Sequence, residues 1–147
     1  MKIPQISVFL ENKPGRLITP CRLLTEAGIN ILTLSLADTE QFGILRLIVR
    51  QWQRARDLLE SSGLAVTVTE VLAIEVRDQP GGLLELLEVF QRAGINVEYM
   101  YAFTARLGNR AVLVFRFDDL DRAITALTRA GINPVSPVTL YDSLEEA

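Results

Sequence analysis

The chain reads as an α+β protein of two tandem βαββαβ units, each an antiparallel sheet with its helices on one face. Two observations predict this. Asn12-Lys13-Pro14-Gly15-Arg16-Leu17 followed by Ala27-Gly28-Ile29-Asn30 returns as Asp78-Gln79-Pro80-Gly81-Gly82-Leu83 followed by Ala93-Gly94-Ile95-Asn96, both at an offset of 66. Two motifs that keep their spacing across a duplication imply one structural unit copied in tandem, with unit boundaries at 1–69 and 70–147. The second observation is that segments of period two and of helical period alternate in the same order in both halves.

In the first unit, Ile6, Val8 and Leu10 share one side of a strand over Ile3 to Leu10. Pro14-Gly15 is expected to open a helix, since proline's missing N–H is no loss in a first turn. Leu17, Ile18, Cys21, Leu24 and Thr25 follow at helical spacing, and Gly28 suits a left-handed stop. Asn30 to Asp38 alternates with Leu32, Leu34 and Leu36 on one side. A turn around Glu40 to Gly43 leads to a strand over Ile44 to Arg50. Ala55, Leu58 and Leu59 line a helix over Trp52 to Ser62, and Leu64 to Thr69 has the β-branched content of a strand.

The second unit repeats the order: strand Val71 to Arg77, helix Pro80 to Ala93, strands Asn96 to Thr104 and Ala111 to Phe117, helix Leu120 to Ala130, strand Pro134 to Tyr141. Ala130-Gly131-Ile132-Asn133 is a third echo, read as helix-stop chemistry because no Pro-Gly start precedes it at the right distance. Ser143 to Ala147 is expected to fray.

This order folds as the split βαβ, or ferredoxin-like, arrangement, which leaves one sheet face without helices. That bare face would carry Phe9, Thr33, Ser35, Arg46 and Ile48 in the first unit, and the aromatic stripe Tyr99, Tyr101 and Phe103 in the second. A stripe of that size predicts a covering partner, first of all a second copy in a homodimer. Packing within the chain and base or ligand stacking are the alternatives.

Composition narrows function. Apolar residues make up 49% of 147, enough for a core, although a unit of half that length is marginal alone. Basic and acidic residues number 8 and 6 in residues 1–69 and 7 and 12 in 70–147, which gives +2 and −5 and no basic footprint for nucleic acid. No stretch has the pattern of a signal peptide or a membrane span. A single cysteine, Cys21, favours a reducing cytoplasm. With no histidine, His-dependent triads and His-rich zinc sites are excluded, and no cofactor or metal is implied.

The strand ending in Leu-Glu-Asn-Lys-Pro-Gly-Arg-Leu, followed by a helix stopping at Ala-Gly-Ile-Asn, resembles the ACT domain, the amino-acid-sensing module of many biosynthetic enzymes. The resemblance covers nearly the whole chain, once per unit. It implies a non-catalytic regulatory protein with a small effector, typically an amino acid, held between the first strand-helix loop of one unit and a neighbouring unit. Free N–H groups at Gly15, Arg16 and Leu17, and at Gly81, Gly82 and Leu83, after Pro14 and Pro80, would face the effector's carboxylate. Asn12 or Asp78, with Asn30 or Asn96, would face its ammonium. Each Asx also reads as a turn former or a helix-stop residue.

The copies differ at Asn12/Asp78 and Arg16/Gly82, so two unequal sites are expected. A regulatory subunit docking on a biosynthetic enzyme such as an acetolactate synthase is the alternative. An enzyme using Cys21, Glu11 or Asp78 is the third reading, disfavoured because Cys21 lies on an expected apolar face.

Overall fold

The computed structural model describes the chain except residues 40, 104, 105, 146 and 147 and the side chain of residue 145. The backbone forms two compact units: Pro4–Thr69, and Glu70–Ala147 together with Met1–Ile3.

The first unit comprises β1 (Ile3–Glu11), α1 (Ile18–Glu26), β2 (Thr33–Asp38), β3 (Phe42–Ile48) and α2 (Trp52–Ser61), closed by the first half of β4 (Ala65–Arg77). Its strand order is β2-β3-β1-β4. The antiparallel register sets Ile6 opposite Leu47 and Val8 opposite Leu45, so alternate residues of β1 and β3 share a face. Leu24 of α1 and Ala55 and Leu59 of α2 pack on that face with Leu10 and Val49.

Leu34 and Leu36 stand opposite Leu47 and Leu45 on the same face, as the alternation predicts. Yet they are 43% and 54% exposed, because β2 is an edge strand. The inward side of α1 is also rotated from the expected one: Pro20 and Leu24 are buried, while Ile18 is exposed and Cys21 half-buried.

The second half of β4 opens the second unit, which continues with α3 (Gly82–Arg92), β5 (Val97–Ala102), β6 (Arg110–Phe117) and α4 (Leu120–Arg129) in strand order β4-β6-β5. Leu72, Ile74 and Val76 form its core with Leu86 and Phe90 of α3, Phe115 and Phe117 of β6, and Ala123 and Leu127 of α4. Lys2 reaches Asp121 at the start of α4 at 3.0 Å, an exposed pair whose hydrogen bond and charge raise the lysine pKa.

Several element bounds need correction. The strands expected over 64–69 and 71–77 are one unbroken 13-residue strand, β4, since no Gly or Pro interrupts the β-branched run. Pro14 and Gly15 do not open α1: Gly15 has φ of 84°, which no α-helix admits, and the helix starts at Ile18. Gly81 has φ of 90° and stands outside α3 as its N-cap.

The C-terminus departs furthest from expectation. The final strand expected over Pro134 to Tyr141 is a helix, α5 (Pro137–Glu145), which also takes in Ser143 and Leu144, expected to fray. Ser136 Oγ accepts the Thr139 N–H at 3.2 Å, and Pro137 takes the first helical position. Ser-Pro-Val-Thr is a helix start that β-propensity obscured. Replacing Ser136 with Ala is expected to cost about 1 kcal/mol, read as a lower urea midpoint with unchanged slope.

The sheet faces expected to be bare are covered in part, with Phe9 40% exposed and Ser35 and Arg46 half-buried. Thr33 and Ile48 are buried in the first unit, as are Val71, Ala73, Val112 and Val114 in the second. Phe103 is 8% exposed, and Tyr99 and Tyr101 are half-buried and already have partners. The aromatic stripe is therefore largely sheltered within the chain, and α5 brings buried Leu140 and Tyr141 to a unit expected to end in a strand. Thr104, expected in β5, and Glu40, expected in the β2-β3 turn, lie outside the described residues.

Candidate ligand-binding loops

The repeat seen in the sequence is also a repeat of hydrogen bonds. In the loop after β1, Lys13 N–H donates to Glu11 C=O at 2.9 Å and Arg16 N–H to Lys13 C=O at 3.3 Å. In the loop after β4, Gln79 N–H donates to Arg77 C=O at 2.9 Å and Gly82 N–H to Gln79 C=O at 3.1 Å. The positive φ of Gly15 and Gly81 lets the chain turn there at no steric cost.

The N–H groups of Arg16 and Gly82, expected to be free, are thus spent inside their own turns. Those of Gly15, Leu17, Gly81 and Leu83 have no backbone acceptor among the described residues. Asn12, Pro14, Gly15, Arg16, Leu17, Pro80, Gly81 and Leu83 are exposed, whereas Gly82 is buried. A Cβ on Gly82 would run into the Arg77 carbonyl. Its lack of a side chain therefore serves the chain's own close packing and does not open the loop to a ligand.

Charge differs between the copies. In the first loop Glu11 sits 3.0 Å from Lys13 Nζ and 4.0 Å from Arg16, and the hydrogen bond and charge of Lys13 hold its carboxyl below the ordinary range. In the second loop Asp78 is bound by Arg106 at 2.7 Å. Arg106 lies in the β5-β6 connection, which nothing in the repeat marks as part of the loop. A cavity of about 350 Å³ lies among Arg77, Asp78, Gln79, Arg106, Asn109 and Arg110.

The Gly-Ile-Asn half of each motif is a helix stop. Ile29 N–H donates to Leu24 C=O, Ile95 to Phe90 and Ile132 to Leu127, all within 2.9–3.0 Å, and Gly28, Gly94 and Gly131 have φ of 71°, 67° and 75°. The third echo makes the same bonds, as expected of helix-stop chemistry. Arg122 adds a bond to the Ala93 C=O at 2.7 Å, and the Asn96 N–H is taken by Asp118 Oδ1 at 3.1 Å.

Within one unit, Asn30 and Asn96 stand at the opposite end of the helix from the Pro-Gly loop. Helices of 9 and 11 residues put roughly 13 and 16 Å between those ends. No zwitterion bridges that gap, so the two halves of a motif do not form one site inside a unit.

A family model describing the ACT domain pair matches residues 1–140. The crystal structure of protein BT0572 from Bacteroides thetaiotaomicron is 35% identical over 96% of each chain, with a TM-score of 0.89. The regulatory subunit of aspartate kinase from Thermus thermophilus, in its ligand-free form, gives a TM-score of 0.61 over 86% of this chain and 91% of that one at 17% identity. Its counterpart from Thermus flavus gives 0.58 over 87% and 92% at 16%. At such identities the likeness is one of fold. A search of curated proteins finds no match. Doubled loops, doubled helix stops and a family model spanning both units lead to one conclusion: this chain belongs to the ACT domain pair family.

Proposed function

We propose that the chain is a regulatory module without catalytic chemistry of its own, which takes up an amino acid at its Pro-Gly loops and passes the occupancy to another protein. The observation that carries this reading is the pair of loops with matching internal hydrogen bonds, each leaving two N–H groups for an anion. The first loop is the stronger candidate for an ammonium, since Asn12 is exposed while Asp78 is neutralised by Arg106. A carboxylate at the second loop would draw on Arg106. The signal arises because ligand binds one arrangement of the protein better than another, and tenfold preference gives about 1.4 kcal/mol of coupling.

A thermal-shift screen against the proteinogenic amino acids tests this. An effector at about 100 times its dissociation constant should add roughly 2.7 kcal/mol, and flat melting curves would refute the reading. A homodimer would draw on what Tyr99 and Tyr101 leave exposed. Replacing both with Glu should then shift the mass seen by light scattering from dimer to monomer.

Docking on a biosynthetic enzyme is favoured by exposed Ile18, Leu34, Leu36 and Phe42 in the first unit. A changed turnover of a candidate enzyme on mixing would support it. Among the described residues no helix is long and apolar enough to cross a membrane. On the single cysteine, Cys21, we place this activity in the cytoplasm.

A further inference from the structure

Among the described residues the second unit has no fourth strand, and the place it would fill contains a cavity of about 650 Å³. One wall is the outer edge of β4 at Glu75 to Arg77, the second is α3, and the third is the turn Ala130 to Asn133. The volume falls within the range of small-molecule sites.

The β4 edge in this cavity is open. Ala73 C=O accepts from Val135 N–H at 2.8 Å, so its polar groups point away from β6. Alternation turns the N–H and C=O of Glu75, two residues on, the same way. The opposite strand agrees: Val112, which faces Glu75, gives its C=O to Phe103 N–H at 2.9 Å and so points away from β4. The segment after Asn133 makes its one bond at Ala73 and leaves along α5, so Glu75 offers a donor and an acceptor that no backbone group takes among the described residues.

We propose that this cavity binds a free α-amino acid, whose carboxylate and ammonium take the two hydrogen bonds that a residue of a fourth strand would exchange with Glu75. A paired residue in an antiparallel ladder presents one C=O and one N–H to its opposite number. An amino acid presents the same two functions from one carbon, each with a full charge. Charges to match both lie in the walls. Arg92 and Glu88 of α3 line the cavity with no ion pair of their own among the described residues, and Arg77 and Arg110 are held only at 3.7 and 4.0 Å by Glu85 and Glu75. Val76, Leu86, Val89 and Ile132 leave an apolar side for the ligand's side chain. The ligand class rests on the effector reading above, whereas the place is independent of the Pro-Gly loops.

The test is amide-resolved NMR of the full chain, adding each proteinogenic amino acid in turn. At least one should shift the Glu75 amide in a saturable way, and its N-acetyl derivative should bind at least tenfold more weakly. Val89→Phe, which fills the cavity, and Arg92→Gln, a surface change that spares folding, should each weaken that titration at least tenfold. Shifts confined to Gly15 and Gly81, with Glu75 unmoved, would overturn the cavity site and leave the loop reading standing. Shifts at Glu75 without shifts at the loops would uphold the cavity and refute the loops. No shift with any amino acid would overturn both.

Discussion

Replacing Phe90 with Ala is expected to lower stability by about 3–5 kcal/mol, a large share of the total that holds a small domain folded. Phe90 is 2% exposed and central to the core of the second unit. Its ring meets Phe117 at 4.8 Å and Phe115 at 5.5 Å, both edge to face, while those two stack on each other at 5.7 Å. Removing it takes away transfer energy, opens a cavity that two rings from one strand cannot close, and loses two edge contacts of about 0.5–1.5 kcal/mol each, part of which the cavity figure already includes.

The position matters for function because Phe90 C=O receives the Ile95 N–H that ends α3. The same ring therefore anchors the helix whose start forms one candidate loop and whose side forms the open cavity. Urea unfolding followed by far-UV circular dichroism checks the expectation. A loss below about 1 kcal/mol would mean that the core closes around the gap. Phe90→Leu should recover most of the loss, because Leu24 fills the equivalent place of the first unit.

The amount legible in the sequence followed the kind of signal each element carries. Repetition and period identified the strands and helices of both units through Arg129, because most have a buried stripe that must recur at 2.0 or 3.6 residues, while β2 and β5, with little buried, were legible from their place in the repeat. The duplication itself misled at the C-terminus: matching Pro134 to Tyr141 to the strand that ends the first unit hid a Ser-Pro helix start readable on its own. The site divided similarly. The Pro-Gly turns were visible as glycine chemistry, but Arg106 was not, since its link to Asp78 joins residues in two separate loops. The sequence shows a helix between each Pro-Gly turn and its Gly-Ile-Asn stop, and the length of that helix sets Asn30 and Asn96 far from the loop of their own unit.

Gly82→Ala is the sharper test of how the second loop is built, with an expected loss of about 3 kcal/mol. Two effects oppose each other. Alanine favours a helix over glycine by about 1 kcal/mol, and Gly82 is the first residue of α3 with no positive φ, so the backbone alone would welcome the change. The added Cβ, however, would meet the Arg77 carbonyl, which ends β4 and already accepts the Gln79 N–H at 2.9 Å. A flexible side chain would swing aside; a backbone carbonyl must drag the strand with it, so the clash outweighs the propensity. Gly81→Ala separates this cause from ordinary turn strain. Its φ of 90° disfavours alanine, but nothing lies within 4 Å of the new Cβ, so about 1–2 kcal/mol is expected. Arg16→Gly, at the matching and exposed place in the first loop, should cost no more than about 1 kcal/mol. If Gly82→Ala proved as mild as these two, α3 would not be seated against Arg77. The corner between the second loop and the cavity beside Glu75 would then lie open.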